Sequence, residues 1–243
     1  MEKMHFLNTP DSSHPFVVVY KPAGIPSAPL TDGEFSALTF AMENFPQIKK
    51  VKGRKEIEYG LVHRIDTETS GLVLVALDQE FYDFIQKEQC EGRFEKWYRA
   101  KVQVMPKLSE KMAGFPDNGN ILEELLSKKE VEVRSAFRKF GQKGKEVRPV
   151  VEGSGKAAEK KSGNREYFTK IQLTEQNFIH AHIVSGFRHQ VRCHLAWCGL
   201  PIVGDKIYNP NFREASSSER MQFEAFRLCF NNPRTNKSEV FEI

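Results

Sequence analysis

Tyr59-Gly60-Leu61-Val62-His63-Arg64-Ile65-Asp66-Thr67-Glu68-Thr69-Ser70-Gly71 runs directly into Leu72-Val73-Leu74-Val75-Ala76-Leu77. The second half is an unbroken apolar run, the pattern of a strand covered on both faces. The first half is polar and rich in threonine, serine and glycine, the composition of a turn. Charged side chains are therefore delivered at the mouth of a buried strand.

Outward from this point the chain alternates irregularly. Upstream, Phe16-Val17-Val18-Val19-Tyr20 reads as a second buried strand, stopped by Lys21-Pro22-Ala23-Gly24. Residues from Thr31 to Val51 predict one helix before a basic loop at Lys52, Arg54 and Lys55. Downstream, Phe81, Phe84 and Ile85 recur at helical spacing and Gly92 is placed to stop that helix. Lys96 to Met105 predicts a strand with Tyr98, Ala100, Val102 and Val104 on one face. Tyr167–Leu173 and Phe178–Val184 predict a hairpin turning through Thr174-Glu175-Gln176-Asn177. Arg188 to Cys198 predicts a helix ended by Gly199 and Pro201. Adjacent hairpins among scattered helices favour a mixed α+β domain over a doubly wound parallel sheet.

The 243 residues carry a net charge of +4 and 40% hydrophobic side chains. No apolar run approaches the ~20 residues that cross a bilayer, and Met1 to Pro10 lacks a signal-peptide core. This reads against a membrane-spanning or secreted chain and for a cytoplasmic one. Cys90, Cys193, Cys198 and Cys229 form no Cys-x-x-Cys pair and read as reduced, packed thiols. The positive charge is local. Residues 127–165 hold twelve basic residues against five acidic ones, with five glycines, which leaves the rest of the chain at −3. We expect this basic, glycine-containing segment to be an RNA-contacting insertion outside the core of a single domain spanning 1–243. A solvated loop is the plainer alternative.

Two constellations could carry chemistry. Arg64 and Asp66 are two apart, so an extended backbone puts them on one face, where the guanidinium would keep the carboxylate ionised. The same residues fit a surface ion pair above a turn. Gly186-Phe187-Arg188-His189-Gln190-Val191-Arg192 places cations at the start of the late helix, against its dipole, and so predicts an anion there or a solvated basic face. Metal binding is disfavoured, because His189 and His194 are five apart, roughly 500° around a helix, and no paired-cysteine spacing occurs. Walker-type and Gly-x-Gly-x-x-Gly phosphate loops are absent from the sequence, as is a Gly-x-Ser-x-Gly elbow.

Together these segments resemble the RluA-type pseudouridine synthases. His63 to Leu72 resembles that family's His-Arg-Leu-Asp-x-x-Thr-Ser-Gly-Leu signature, and Lys21-Pro22-Ala23-Gly24 its first motif. Lys96-Trp97-Tyr98 resembles its Lys-x-Tyr. Gly186 to Leu195, with Gly199-Leu200-Pro201-Ile202-Val203-Gly204-Asp205, resembles its closing Gly-Arg-Thr-His-Gln-Ile-Arg and Gly-x-Pro-x-x-Gly-Asp block. One departure stands out: Phe187-Arg188 replaces Arg-Thr, moving the basic residue one position.

The resemblance implies a mixed, mostly antiparallel central sheet with flanking helices, an RNA-binding cleft and no cofactor or metal. It implies isomerisation of uridine to pseudouridine in structured ribosomal or transfer RNA, by a monomer with no membrane and no obligatory protein partner. Asp66 would be the catalytic group, Tyr98 would pack on the uracil, and Arg192 would pair with Asp66. Arg64 would fill the gap left by the flipped base. His63, Arg188, His189 and Leu195 fall at substrate or RNA-binding positions. With no room before Phe16 for the small N-terminal RNA-binding domain of many relatives, the catalytic domain is expected to stand alone. A non-catalytic RNA-binding protein on the same fold is the alternative.

Overall fold

The computed structural model describes residues 3–31, 33–174, 178–213 and 219–243. In chain order the elements are β1 (His5–Phe6), β2 (Phe16–Lys21), α1 (Ala37–Asn44), β3 (Ser70–Ala76), α2 (Gln79–Cys90) and β4 (Glu95–Lys101). Then come α3 (Leu108–Lys111), α4 (Ile121–Lys128), β5 (Glu130–Phe140), β6 (Glu146–Val150), α5 (Lys156–Glu159) and β7 (Tyr167–Leu173). The chain closes with β8 (Phe178–Ile183), α6 (Gln190–Trp197), α7 (Pro210–Arg213), β9 (Phe223–Asn232) and β10 (Lys237–Glu242). Mixed α+β architecture is thus as expected. The chain falls into two compact units, residues 1–97 with 224–243, and residues 98–223.

In the first unit the apolar runs pair with each other. β2 and β3 lie antiparallel with Phe16 opposite Ala76 and Lys21 opposite Gly71. β3 in turn lies parallel to β9 through Gly71 and Ala225, and β10 pairs antiparallel with β9. Gly71 has φ +119°, and a Cβ there would sit 2.2 Å from the Ala225 carbonyl oxygen, so only glycine permits this approach. α2 starts at Asp78, whose carboxylate accepts from the Phe81 N–H at 2.8 Å, and Gly92 follows it with φ +75°. It lays Phe81 and Ile85 onto Phe16, Leu72, Leu74, Phe94 and Phe230. Each such side chain contributes about 1.5–3 kcal/mol on burial. The single helix expected between Thr31 and Val51 is shorter: α1 starts at the Ser36–Thr39 capping box and stops before Pro46, which bars Phe45 from helical geometry.

In the second unit β8, β7, β5 and β6 are neighbours in that order, all antiparallel. The predicted β7–β8 hairpin is present, although Glu175, Gln176 and Asn177 of its turn lie outside the described residues. α6 packs over Leu108, Met112, Phe137, Val147 and Tyr208.

Three expectations need correction here. Residues 127–165 are not peripheral: β5 pairs with β7 from Glu130 to Ser135 and with β6 from Ala136 to Phe140, and Val131, Val133, Phe137, Val147 and Val150 are buried. Their alternation builds the sheet, and most of the charges occupy its other face, its ends and its turns, while Arg148 is itself buried. The strand expected to reach Met105 ends at Lys101, leaving Val104 46% exposed, because Gln103 and Met105 donate instead to the Pro201 and Gly199 carbonyls. The late helix begins at Gln190, not Arg188, since His189 takes a left-handed φ of 55°.

Candidate active site

Asp66 opens a tight turn in the first unit. Its carbonyl accepts from the Thr69 N–H at 3.0 Å, and aspartate suits this first turn position. The side chain is half-buried. The turn is held from the Lys21-Pro22-Ala23-Gly24 corner, which the β2–β3 register brings beside it. The Gly24 N–H donates to Thr67 O at 2.8 Å. The Ser27 hydroxyl donates to Ile65 O at 2.8 Å and accepts from Ile65 N–H at 3.1 Å.

Lys21 is the centre of this arrangement. It is 0% exposed, and its ammonium donates to Pro22 O (3.1 Å), Ile25 O (2.7 Å), Thr67 O (3.2 Å) and Thr69 O (2.6 Å). Four carbonyls share three N–H groups, two of them from the turn that carries Asp66. Burial pushes the Lys21 pKa down to about 8, opposed by the negative charges of Asp66 and Glu68. Nothing in the sequence assigned Lys21 this part. The available signal was a lysine ending an otherwise apolar strand.

The residues around Asp66 divide by exposure. Arg64 is exposed and its Nη1 donates to the Glu58 carboxylate at 2.9 Å, so its ion-pair partner is Glu58 and not Asp66. His63 is buried, against its expected contact with RNA: Nε2 accepts from the Leu74 N–H at 3.2 Å and the ring lies 5.2 Å from Phe94. Burial, and secondarily the charge of Lys96, hold it well below its ordinary pKa and therefore neutral. Upstream, Gln86 and Gln89 of α2 both donate to Val62 O, at 3.0 and 3.1 Å.

Tyr98, Arg188, His189, Arg192 and Leu195 belong to the second unit. Arg192 is buried and forks onto Asp205, with Nε to Oδ2 and Nη2 to Oδ1 both at 2.8 Å. Asp205 also accepts from the Ile207 and Tyr208 N–H groups. Burial would raise its pKa, but the Arg192 hydrogen bonds and charge, with those backbone donors, hold it below the usual carboxylate range. This is an anion for the cationic helix start, supplied by the last residue of the Gly199–Asp205 motif. Gly204 brings it in with φ +80°, where a Cβ would meet Arg220 O at 2.3 Å.

Gln190 ties the helix start to β7, donating to Phe168 O at 2.9 Å, while its Oε1 accepts from the Phe187 N–H. Arg188 is exposed and donates to Lys145 O. His189 is half-buried, with Nδ1 3.2 Å from the Tyr208 hydroxyl. Tyr98 is nearly buried and stacks on Phe223 at 5.1 Å. Leu195 is fully buried and packs the core. Among the described residues no group of three or more His, Cys, Asp or Glu could hold a metal, and no helix is long and apolar enough to cross a membrane.

A half-exposed carboxylate thus sits on a turn held by Lys21, Gly24 and Ser27, in the mixed and mostly antiparallel α+β fold of the pseudouridine synthases. The RNA pseudouridylate synthase family matches residues 15–197, across both units, and the chain belongs to that family. It is similar to ribosomal large subunit pseudouridine synthase D of Neisseria meningitidis, 26% identical over 93% of this chain and 54% of that protein. It is also similar to tRNA pseudouridine synthase C of Vibrio parahaemolyticus, 28% identical over 74% of this chain and 70% of that one. The chain thus spans about half the length of the first of these. Among solved structures, human RNA pseudouridylate synthase domain containing 1 shares the fold, with a TM-score of 0.63 at 19% identity over 100% of this chain and 83% of its own.

Proposed function

We propose that this protein converts uridine to pseudouridine in ribosomal or transfer RNA, with Asp66 as the catalytic carboxylate. The reaction breaks the bond from ribose C1′ to uracil N1, turns the base and rejoins it through C5, whose proton leaves while N1 takes one up. No redox change occurs and no co-reactant is consumed. Exposed Arg64 would occupy the place of the flipped base, since the chemistry needs the uridine out of its stack. Tyr98 would pack against the uracil, as the resemblance implies. We place the protein in the cytoplasm, acting as a monomer.

The observation carrying this reading is the Asp66 turn itself, where buried Lys21 gathers the Thr67 and Thr69 carbonyls and leaves the Asp66 side chain half-exposed. The test is tritium release from RNA labelled at uridine C5, taken from cells lacking the protein, with chelator present. Wild type is expected to release tritium, and Asp66→Asn to bind the RNA without release. RNA binding by wild type with no release would favour the non-catalytic alternative.

A further inference from the structure

Phe187 stands where the resembled signature carries arginine, and the fold turns it onto Phe137 of β5. The two rings stack with centroids 5.0 Å apart and planes 6° from parallel, and Tyr167 leans on Phe187 at 5.2 Å. With Lys139, Lys161 and Gly163, the two phenylalanines line a cleft of about 420 Å³. The cleft is open to solvent, so a flat ring could lie against its aromatic side. Phe137 is buried, whereas Phe187 is half-exposed.

The cations are the second observation. Lys139 and Lys161 are exposed, and among the described residues neither has an ion-pair partner. Three other cations of this unit do carry ion pairs: Arg134 with Glu132, Arg148 with Glu146 and Lys170 with Glu130. No carboxylate lines the cleft, and a Cβ at Gly163 would meet nothing within 4 Å, so that wall is open. An aromatic face beside two unneutralised ammonium groups is the chemistry that holds single-stranded nucleic acid: bases stack, and phosphates meet the lysines.

We propose that this cleft is an accessory RNA subsite that takes one unpaired nucleotide, with its base against Phe187 and its phosphates between Lys139 and Lys161. The choice of RNA as occupant rests on the isomerase reading, and the contact tolerates any base because every base has a stacking face.

The test is anisotropy titration of a labelled single-stranded oligouridylate over a series of salt concentrations, with tritium release measured in parallel. Lys139→Ala/Lys161→Ala should flatten the slope of log affinity against log salt by about 1.4, the single-strand value for two phosphates. Phe187→Leu should weaken binding about 5- to 150-fold, the range for loss of one stacked base, and Phe187→Tyr should retain it. Wild-type affinity and slope in the double lysine variant would overturn the proposal, and that variant decides alone if Phe187→Leu does not fold. Tritium release by wild type with unchanged oligonucleotide binding in every variant would sink the subsite and leave the isomerase reading. Weakened binding in the variants of a protein that releases no tritium would do the reverse.

Discussion

The ammonium of Lys21 lies 2.6 Å from the carbonyl oxygen of Thr69, so the last residue of β2 grips the far side of the turn that begins at Asp66. A hydrogen bond from a charged donor contributes about 1.5–3 kcal/mol, and an abandoned buried carbonyl costs about 1–3 kcal/mol. In Lys21→Met the side chain keeps its bulk but leaves Pro22, Ile25, Thr67 and Thr69 without this donor. Turnover should fall at least tenfold while oligonucleotide affinity stays within about twofold, because the lost contact sets the placement of Asp66 and not the RNA surface. Single-turnover rates alongside equilibrium binding check this. Equal losses in both would show that Lys21 supports the unit at large.

The same ammonium makes stability depend on pH. Its pKa is depressed to about 8 from 10.5, so between those values the unfolded chain holds a proton that the folded one has shed. Stability therefore rises with pH across that window, by up to about 1.4 kcal/mol per unit for this one group. Below pH 8 both states are protonated and the contribution is flat. Urea unfolding of wild type and Lys21→Met at several alkaline pH values should show wild type gaining on the variant across that window, since the opposing titration of buried Cys193 and Cys198 is common to both and cancels in the difference. Parallel curves would mean that Lys21 titrates as it does in solvent.

Arg192 and Asp205 form a buried fork, and breaking one arm strands the other charge. Asp205→Ala is expected to cost about 3–5 kcal/mol, read as a lowered Tm. Arg192→Met should cost a similar amount, and Arg192→Met/Asp205→Leu less than the two together, because no lone charge remains. Additive losses in the double variant would argue against direct coupling.

Much of this is legible in the sequence. Phe16–Tyr20 and Leu72–Leu77 announced buried strands because apolar runs of that length have few other homes, and the motif order led to Asp66. Exposure was harder to read. His63 and Leu195 sit within the motifs yet are buried, since a motif marks positions without saying which way they face. The role of Lys21 escaped because a hydrogen-bond hub of four carbonyls depends on the β2–β3 register, which no local pattern encodes. β5 is masked for a different reason: Val131, Val133, Ser135 and Phe137 alternate, but the charged residues between them give the segment the composition of a solvated loop.

That alternation yields a final prediction, opposite to what the charge of residues 127–165 alone implies. Replacing the segment by a short Gly/Ser linker removes both β5 and β6. β7 then loses its Glu130–Ser135 partner strand, and Cys193, Ala196 and Tyr208 lose Phe137 and Val147 from their cluster. Exposing such a strand edge and apolar face invites aggregation. The variant should be insoluble or lack a cooperative melt, even though the sequence removed is among the most charged in the chain. Phe137→Ala isolates the packing contribution at about 3–5 kcal/mol, whereas Lys139→Ala on the same strand should leave Tm within about 1 °C, its side chain being exposed. Thermal melts of the three variants discriminate the cases. A linker variant that melts cooperatively at the wild-type temperature would show that β5 and β6 are dispensable to the core.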